Sequence, residues 1–210
     1  LPQATYQAAR KGDAVAQYKI GESYDLGRGV AQDYQEAVRW YRRSAEQGNA
    51  QAQFALGEMY KNGDGVGKDL AQAAHWYRLA AGQGNPGAQL LLGVLYESGL
   101  SVPLDFKEAA KWYRRSADQG DARAQLLLGV LYQLGQGVSR NVVVAYALYS
   151  ISARNDSSRG NPAPNHRAQL AYSMSAAEID AAKSLSGEIS RAGNFSPALD
   201  RYLQISSAGP

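Results

Sequence analysis

The sequence predicts an all-α chain of stacked antiparallel helix pairs. Three observations predict it: a 36-residue period, helix-capping residues at fixed places within each period, and apolar stripes at helical spacing. Gly12, Gly48, Gly84 and Gly120 lie 36 apart, as do Gly21, Gly57, Gly93 and Gly129. Tyr24, Tyr60, Tyr96 and Tyr132 keep the same spacing, and so do Tyr41, Tyr77, Tyr113 and Tyr149. Trp40, Trp76 and Trp112 recur beside the latter, with Leu148 in the fourth copy. A fixed period of this length is the signature of a repeat architecture, in which each unit buries its apolar face against the next.

Each period divides into two helices. The first should begin at Asp13, Asn49, Asn85 or Asp121, whose side chains can accept from the orphan amides of a first turn. Pro86 directly after Asn85 suits the first helical position. Ala16, Ile20 and Tyr24 then share one face, and the helix should stop near Gly27 and its equivalents. The second helix should start at Asp33, Asp69 and Asp105, each three residues before Glu36, Gln72 or Glu108 in the pattern of a capping box. Asn141 can cap the fourth copy, but Val144 cannot reciprocate. A glycine inside a helix costs about 1 kcal/mol relative to alanine. Its return at residues 21, 57, 93 and 129 therefore points to a close approach by the bulky Trp–Tyr pair of a second helix.

Composition narrows the function. The chain has 210 residues, 45% of them hydrophobic, and a net charge of +3. That suits one continuous core. The longest apolar run, Leu90–Tyr96, is far shorter than the roughly 20 residues a membrane helix needs, so no membrane insertion is expected. Cysteine is absent, which removes disulfides, thiolate metal sites and cysteine nucleophiles. The chain does not begin with Met, so a processed or trimmed product is expected. Arg39, Arg42, Arg43, Arg78, Lys111, Arg114 and Arg115 recur on the second helices. With Trp and Tyr assigned to the inward stripe, no aromatic platform accompanies them. They read as a solvated outer surface, and no nucleic-acid partner is expected.

The pattern Ile20-Gly21-x-x-Tyr24, followed by Ala37-x-x-x-Tyr41, resembles the tetratricopeptide repeat. The Gly-x-Gly-Val loops "GRGVAQD" and "GDGVGKD", with "A-x-A-Q" before and "A-x-x-W-Y" after, resemble the Sel1-like repeat family, over residues 12–155 as four repeats. That resemblance implies a right-handed α-solenoid with a helical C-terminal cap. The third loop, "SGLSVPLD", departs from the pattern: Ser101 stands where Gly29, Gly65 and Gly137 stand. If the position needs a positive φ, this loop should take another path, helped by Pro103.

Residues 156–210 read as a degenerate fifth repeat and capping helices, continuous with residues 1–155 as one domain. Residues 154–168 read as a polar connection. Ser175 and Glu178 form another capping box, opening a helix to about Arg191. Ser196-Pro197 signals a short last helix with Leu199, Tyr202 and Leu203 on one face.

No catalytic constellation emerges. The only histidines are His75 and His166, and His75 falls at the outer position held by Arg39 and Lys111. "GDGVGKD" lacks the spacing of a phosphate loop, with Asp69 where its hydroxyl should be. Proteins with such repeats have been linked to β-lactamase-type activity, but no Ser-x-x-Lys is present. No cofactor, metal or catalytic residue is expected.

In tetratricopeptide-like solenoids the first helices line the concave side. By that resemblance, the groove is lined by Val15, Tyr18, Glu22 and Asp25, then by Gln51, Phe54, Glu58 and Lys61. Gly87, Leu90, Val94 and Glu97 follow, then Arg123, Leu126, Val130 and Gln133. The first two repeats offer an aromatic beside a carboxylate. The last two offer Leu90, Val94, Leu126 and Val130 as an open apolar patch, covered either by a partner or by Leu199, Tyr202 or Leu203 of the tail. The expected function is a non-catalytic scaffold or adaptor holding a protein or peptide in this groove. A glycan- or cell-wall-binding module, a β-lactamase-like hydrolase and a self-associating adaptor that forms homo-oligomers are the alternatives. The compact, alanine-rich style resembles bacterial exported or periplasmic proteins.

Overall fold

The computed structural model describes residues 3–191 and 193–207. Among them every regular element is a helix: α1 (Gln3–Arg10), α2 (Ala14–Leu26), α3 (Tyr34–Glu46), α4 (Ala50–Asn62), α5 (Leu70–Gly82), α6 (Pro86–Ser98), α7 (Phe106–Asp118), α8 (Ala122–Leu134), α9 (Val142–Asn155), α10 (Ala163–Ala171), α11 (Ala176–Ile189) and α12 (Phe195–Ser207). They form two compact units that meet in sequence at Leu104 and Asp105. In the first unit α1 to α6 pack in chain order, each on the next; in the second, α7 packs on α8, α8 on α9, and α9 on α10 and α11.

The helix starts follow from the sequence chemistry. Asp13, Asn49, Asn85 and Asp121 each accept from the backbone N–H three residues on. Each first helix ends at a left-handed glycine: Gly27, Gly63, Gly99 or Gly135. At the second helices, Asp33, Asp69 and Asp105 each accept two first-turn amides. The reciprocal half of the expected box gives way to another pairing. Glu36 and Glu108 turn outward to Arg39 and Lys111, one turn along. Only Ser175 and Glu178 close both halves among the described residues.

The mid-helix glycines make room for tyrosines. A Cβ at Gly21, Gly57 or Gly129 would sit 2.5, 2.6 or 2.7 Å from a ring carbon of Tyr41, Tyr77 or Tyr149. Those tyrosines are almost wholly buried. The tryptophans lie elsewhere. Trp40 packs with Ala16 and Ile20 under Arg43, whose guanidinium carbon is 4.9 Å from its ring centre. Arg115 covers Trp112 in the same way at 4.5 Å. The outer arginines therefore do rest on aromatic rings, contrary to the expectation of a surface without them.

A polar thread runs beside the apolar core. Gln17, Gln53, Gln89 and Gln125 are buried. Each donates through Nε2 to the carbonyl of Ala9, Ala45, Ala81 or Ala117. Gln17, Gln53 and Gln125 accept in turn from Gln47, Gln83 and Asn155. The acceptor Ala9 lies on α1, which the sequence reading missed. Helix α1 occupies the second-helix position of a preceding period, since Ala9 precedes Ala45 by one period.

Three further expectations are corrected. Ser101 adopts a φ of 64° itself, so the third loop keeps the left-handed position held elsewhere by Gly29, Gly65 and Gly137. A Cβ at Gly65 or Gly137 would strike the carbonyl of Tyr34 or Phe106, which is why the position otherwise excludes side chains. Residues 163–168 are helical within α10; Asn161, just before its Pro162 cap position, accepts from Ala163 N at 3.0 Å and donates to the carbonyls of Ser152 and Asp156. The last helix is 13 residues long and begins one residue before Ser196.

Candidate partner-binding face

In the first unit, the face predicted for partner binding lies on α2, α4 and α6. Tyr18 stacks on Tyr41 with ring centres 5.7 Å apart, and its hydroxyl donates to Glu22 at 3.3 Å. The Tyr41 hydroxyl, emerging from the core, donates to Asp25 at 3.1 Å. One period on, Phe54 lies 6.0 Å from the Tyr77 ring, and Tyr77 donates to Glu58. Lys61 occupies the position of Asp25, so it cannot accept from a phenol. Glu58 takes both groups, binding Lys61 Nζ at 2.7 and 2.8 Å. The tip of the Phe54 ring lies where a Cβ on Gly87 would be 2.9 Å away, which explains a residue without a side chain there.

Tyr18, Glu22, Asp25, Phe54, Glu58 and Lys61 are all half-buried, and Val15 and Gln51 are exposed. Burial raises the Asp25 carboxyl above the ordinary value, and neighbouring Asp64 and Glu22 add to that. Donation from Tyr41 pulls the other way. Burial also lifts the Tyr41 and Tyr77 hydroxyls far above the ordinary phenol range, aided by Asp25 and Glu58 respectively, so both remain donors. Burial, then Glu22, raises Tyr18.

The aliphatic part of the prediction is corrected. Leu90 is only 7% exposed and Leu126 only 9%. Val94, Glu97, Val130 and Gln133 are half-buried. A leucine is too short to project past the neighbouring side chains as Tyr18 and Phe54 do, so Leu90 and Leu126 belong to the core rather than to an open patch. In the second unit, Gln133 accepts from Tyr149 at 2.6 Å, and His166 on α10 lies 5.3 Å from the Tyr149 ring.

Within the second unit the described tail residues of α12 pack on α7 and α11. Leu199 is fully buried there. Arg114 on α7 pairs with Asp200 at 2.6 Å and donates to the Ser196 carbonyl at 3.1 Å. Tyr202 and Leu203 are half-buried on the same helix.

Sequence reasoning missed the second-helix tyrosines as members of the face. The signal was present: a phenol recurs one period apart while its acceptor changes from Asp25 to Glu58 where Lys61 intervenes. Asp64 was likewise not singled out, and His166 was named only as one of the two histidines and not as a neighbour of Tyr149. Among the described residues, no group of three or more His, Asp or Glu gathers to hold a metal ion. No helix among them is long and apolar enough to cross a membrane.

Similar proteins add a second line of observation. The structure resembles the crystal structure of a Sel1 repeat protein from Oxalobacter formigenes, with a TM-score of 0.68 and 38% identity, covering 72% of this chain and 64% of that one. It also resembles c5321, a protective antigen of uropathogenic Escherichia coli strains with an SLR fold. There the TM-score is 0.61 and the identity 28%, over 95% of this chain and 50% of that one. The chain thus spans less than two thirds of the length of either. No match was found among curated proteins. The Sel1 repeat pattern matches residues 14–49, 50–85, 86–121 and 122–157, the period seen in the glycines, tyrosines and caps. With four such repeats, this chain belongs to the Sel1 repeat family.

Proposed function

We propose that this chain is a non-catalytic adaptor that binds a basic polypeptide segment across the first-helix face of α2 and α4. The Sel1 repeat is a fold typical of protein–protein interaction scaffolds. The observation that carries the finer reading is the row of half-exposed aromatics and carboxylates, Tyr18–Glu22–Asp25 and Phe54–Glu58. Here Tyr41 and Tyr77 from the core and Tyr18 on the face itself donate to the carboxylates, and Lys61 also holds Glu58. Carboxylates held in this way lose little further freedom on binding, so an arginine or lysine of the partner meets prearranged acceptors. The rings offer flat apolar surface beside them, which suits the stem of a long cationic side chain.

The reading is tested by retention of synthetic basic, neutral and acidic peptides on the immobilised chain. Basic peptides should be retained selectively, and Glu22→Lys should weaken them at least about tenfold, or about 1.4 kcal/mol. Raising the ionic strength from about 0.1 M to about 1 M shortens the screening length from about 10 Å to about 3 Å and should weaken them further. Equal retention of acidic peptides, or indifference to Glu22→Lys in a folded variant, refutes it.

A further inference from the structure

The second unit shows what a groove between consecutive repeats can hold. Helix α12 starts beside α7, with the Ser196 N–H donating to Asp118 at 3.1 Å and so capping its first turn on α7. Arg114 binds the Ser196 carbonyl at 3.1 Å, its hydroxyl at 3.3 Å, and Asp200 one turn along at 2.6 Å. Leu199 between them is fully buried. Beside α12 a cavity remains, lined by Leu128, Tyr132 and Val138 together with Ser196 and Asp200 of α12, and Leu203 lines a second cavity with Tyr132 and Val138. The footprint of α12 is visible in the exposure pattern: Tyr132 is only 5% exposed, while Tyr24, Tyr60 and Tyr96 at the same repeat position are half-buried.

Two periods earlier, in the first unit, the same residue chemistry recurs between α3 and α4. Arg42 stands for Arg114, Glu46 for Asp118, Leu56 for Leu128, Tyr60 for Tyr132 and Val66 for Val138. Here Arg42 donates to the Tyr60 hydroxyl at 2.9 Å, and Glu46 is exposed. The intervening period keeps the cation as Arg78 but does not repeat the set, because Gly82 replaces the acid. The α3–α4 groove is therefore the other place where a helix of α12's chemistry finds both an acceptor for its first amide and a cation for its acid.

We propose that the α3–α4 groove docks an amphipathic helix from a partner protein, with the chemistry displayed by α12. That helix carries a first-turn amide facing Glu46, an aliphatic residue over Tyr60 and Val66, and a carboxylate one turn along that draws Arg42 away from the Tyr60 hydroxyl. The charge pattern sets the direction of the helix: its N-terminus lies at Glu46, where its partial positive charge is favoured. This surface is separate from the first-helix face and takes an acidic rather than a basic feature, so the two readings stand or fall independently.

The test uses the full chain, whose own α12 occupies the α7 groove, and a labelled synthetic peptide of residues 194–207 as the probe. Saturable one-to-one binding is expected, with amide chemical-shift changes confined to α3 and α4. Arg42→Glu should weaken it at least tenfold, and a peptide carrying Asp200→Arg should restore binding to that variant. If Arg42→Glu fails to fold, Arg42→Gln replaces it, with at least a threefold loss expected. Absence of saturable binding, shifts confined to α2 or α7, or binding within twofold in the Arg42 variant overturns the proposal. So does a concentration-dependent dimer of the full chain abolished by Asp200→Arg, which assigns the groove to a second copy instead.

Discussion

The first-helix faces of the first two repeats and of the next two differ over the same backbone plan. In α2 and α4 the predicted positions carry Tyr18, Glu22, Phe54 and Glu58, all half-exposed. In α6 and α8 the equivalent positions carry Leu90, Val94, Leu126 and Val130, with both leucines buried. Reach decides the outcome. An aromatic ring with a hydroxyl or a neighbouring carboxylate extends into solvent, whereas a leucine at the same Cα ends inside the wall. The face thus presents aromatic and carboxylate groups to solvent in one part and buries its leucines in the other.

The largest test of that contrast is truncation on both sides. Leu126→Ala should cost about 2–5 kcal/mol, as buried leucines do, and lower the denaturation midpoint accordingly. Phe54→Ala, half in water already, should cost under about 2 kcal/mol. If urea titrations give the two the same loss, the division into structural and open parts is wrong.

A second comparison sets the third inter-helix loop against the second. Ser101 holds a left-handed conformation that costs an L-residue about 1–2 kcal/mol, so Ser101→Gly should stabilise the chain by about 1 kcal/mol. Gly65→Ser should destabilise by about 2 kcal/mol or more, since the new Cβ adds a collision with the Tyr34 carbonyl to the same strain. Thermal unfolding of the two variants should move in opposite directions.

The smallest effect concerns Asp25, which is unmatched in the next repeat, where Lys61 stands. Burial raises its folded pKa above the ordinary 3.8. Between those two values the folded chain binds more protons than the unfolded chain, so this group's contribution to stability falls as pH rises through that window. Asp25→Asn should remove that part of the slope and raise stability slightly at neutral pH. Tyr41→Phe, which removes the donor, should push the Asp25 titration further up in a carboxyl NMR titration. A downward shift would contradict the hydrogen bond.

The periodic features were legible because each is local. An aspartate three residues before an amide, or a glycine facing a tyrosine in the paired helix, repeats with its whole environment. Helix α1 was overlooked because the repeat was counted from Gly12, although Ala9 keeps the period with Ala45; its role appears in Gln17 reaching Ala9 and in Tyr6 meeting the Trp40 ring at 5.9 Å. The docking of α12 was not legible because Arg114 and Asp200 are distant in sequence and carry no shared pattern. The depth of Leu90 and Leu126 was misjudged because exposure belongs to the neighbours as much as to the residue.

The glutamine thread has a bearing on how such a chain can change length. Each buried amide spans a junction, taking its carbonyl from the helix before and, at residues 17, 53 and 125, a donor from the helix after. Gain or loss of one complete period restores every partner. A cut that removes part of a period strands a buried amide and a carbonyl together, and each stranded group costs about 1–3 kcal/mol. Growth of this array is in effect quantised, with 36 residues as the smallest step that leaves no hydrogen bond behind.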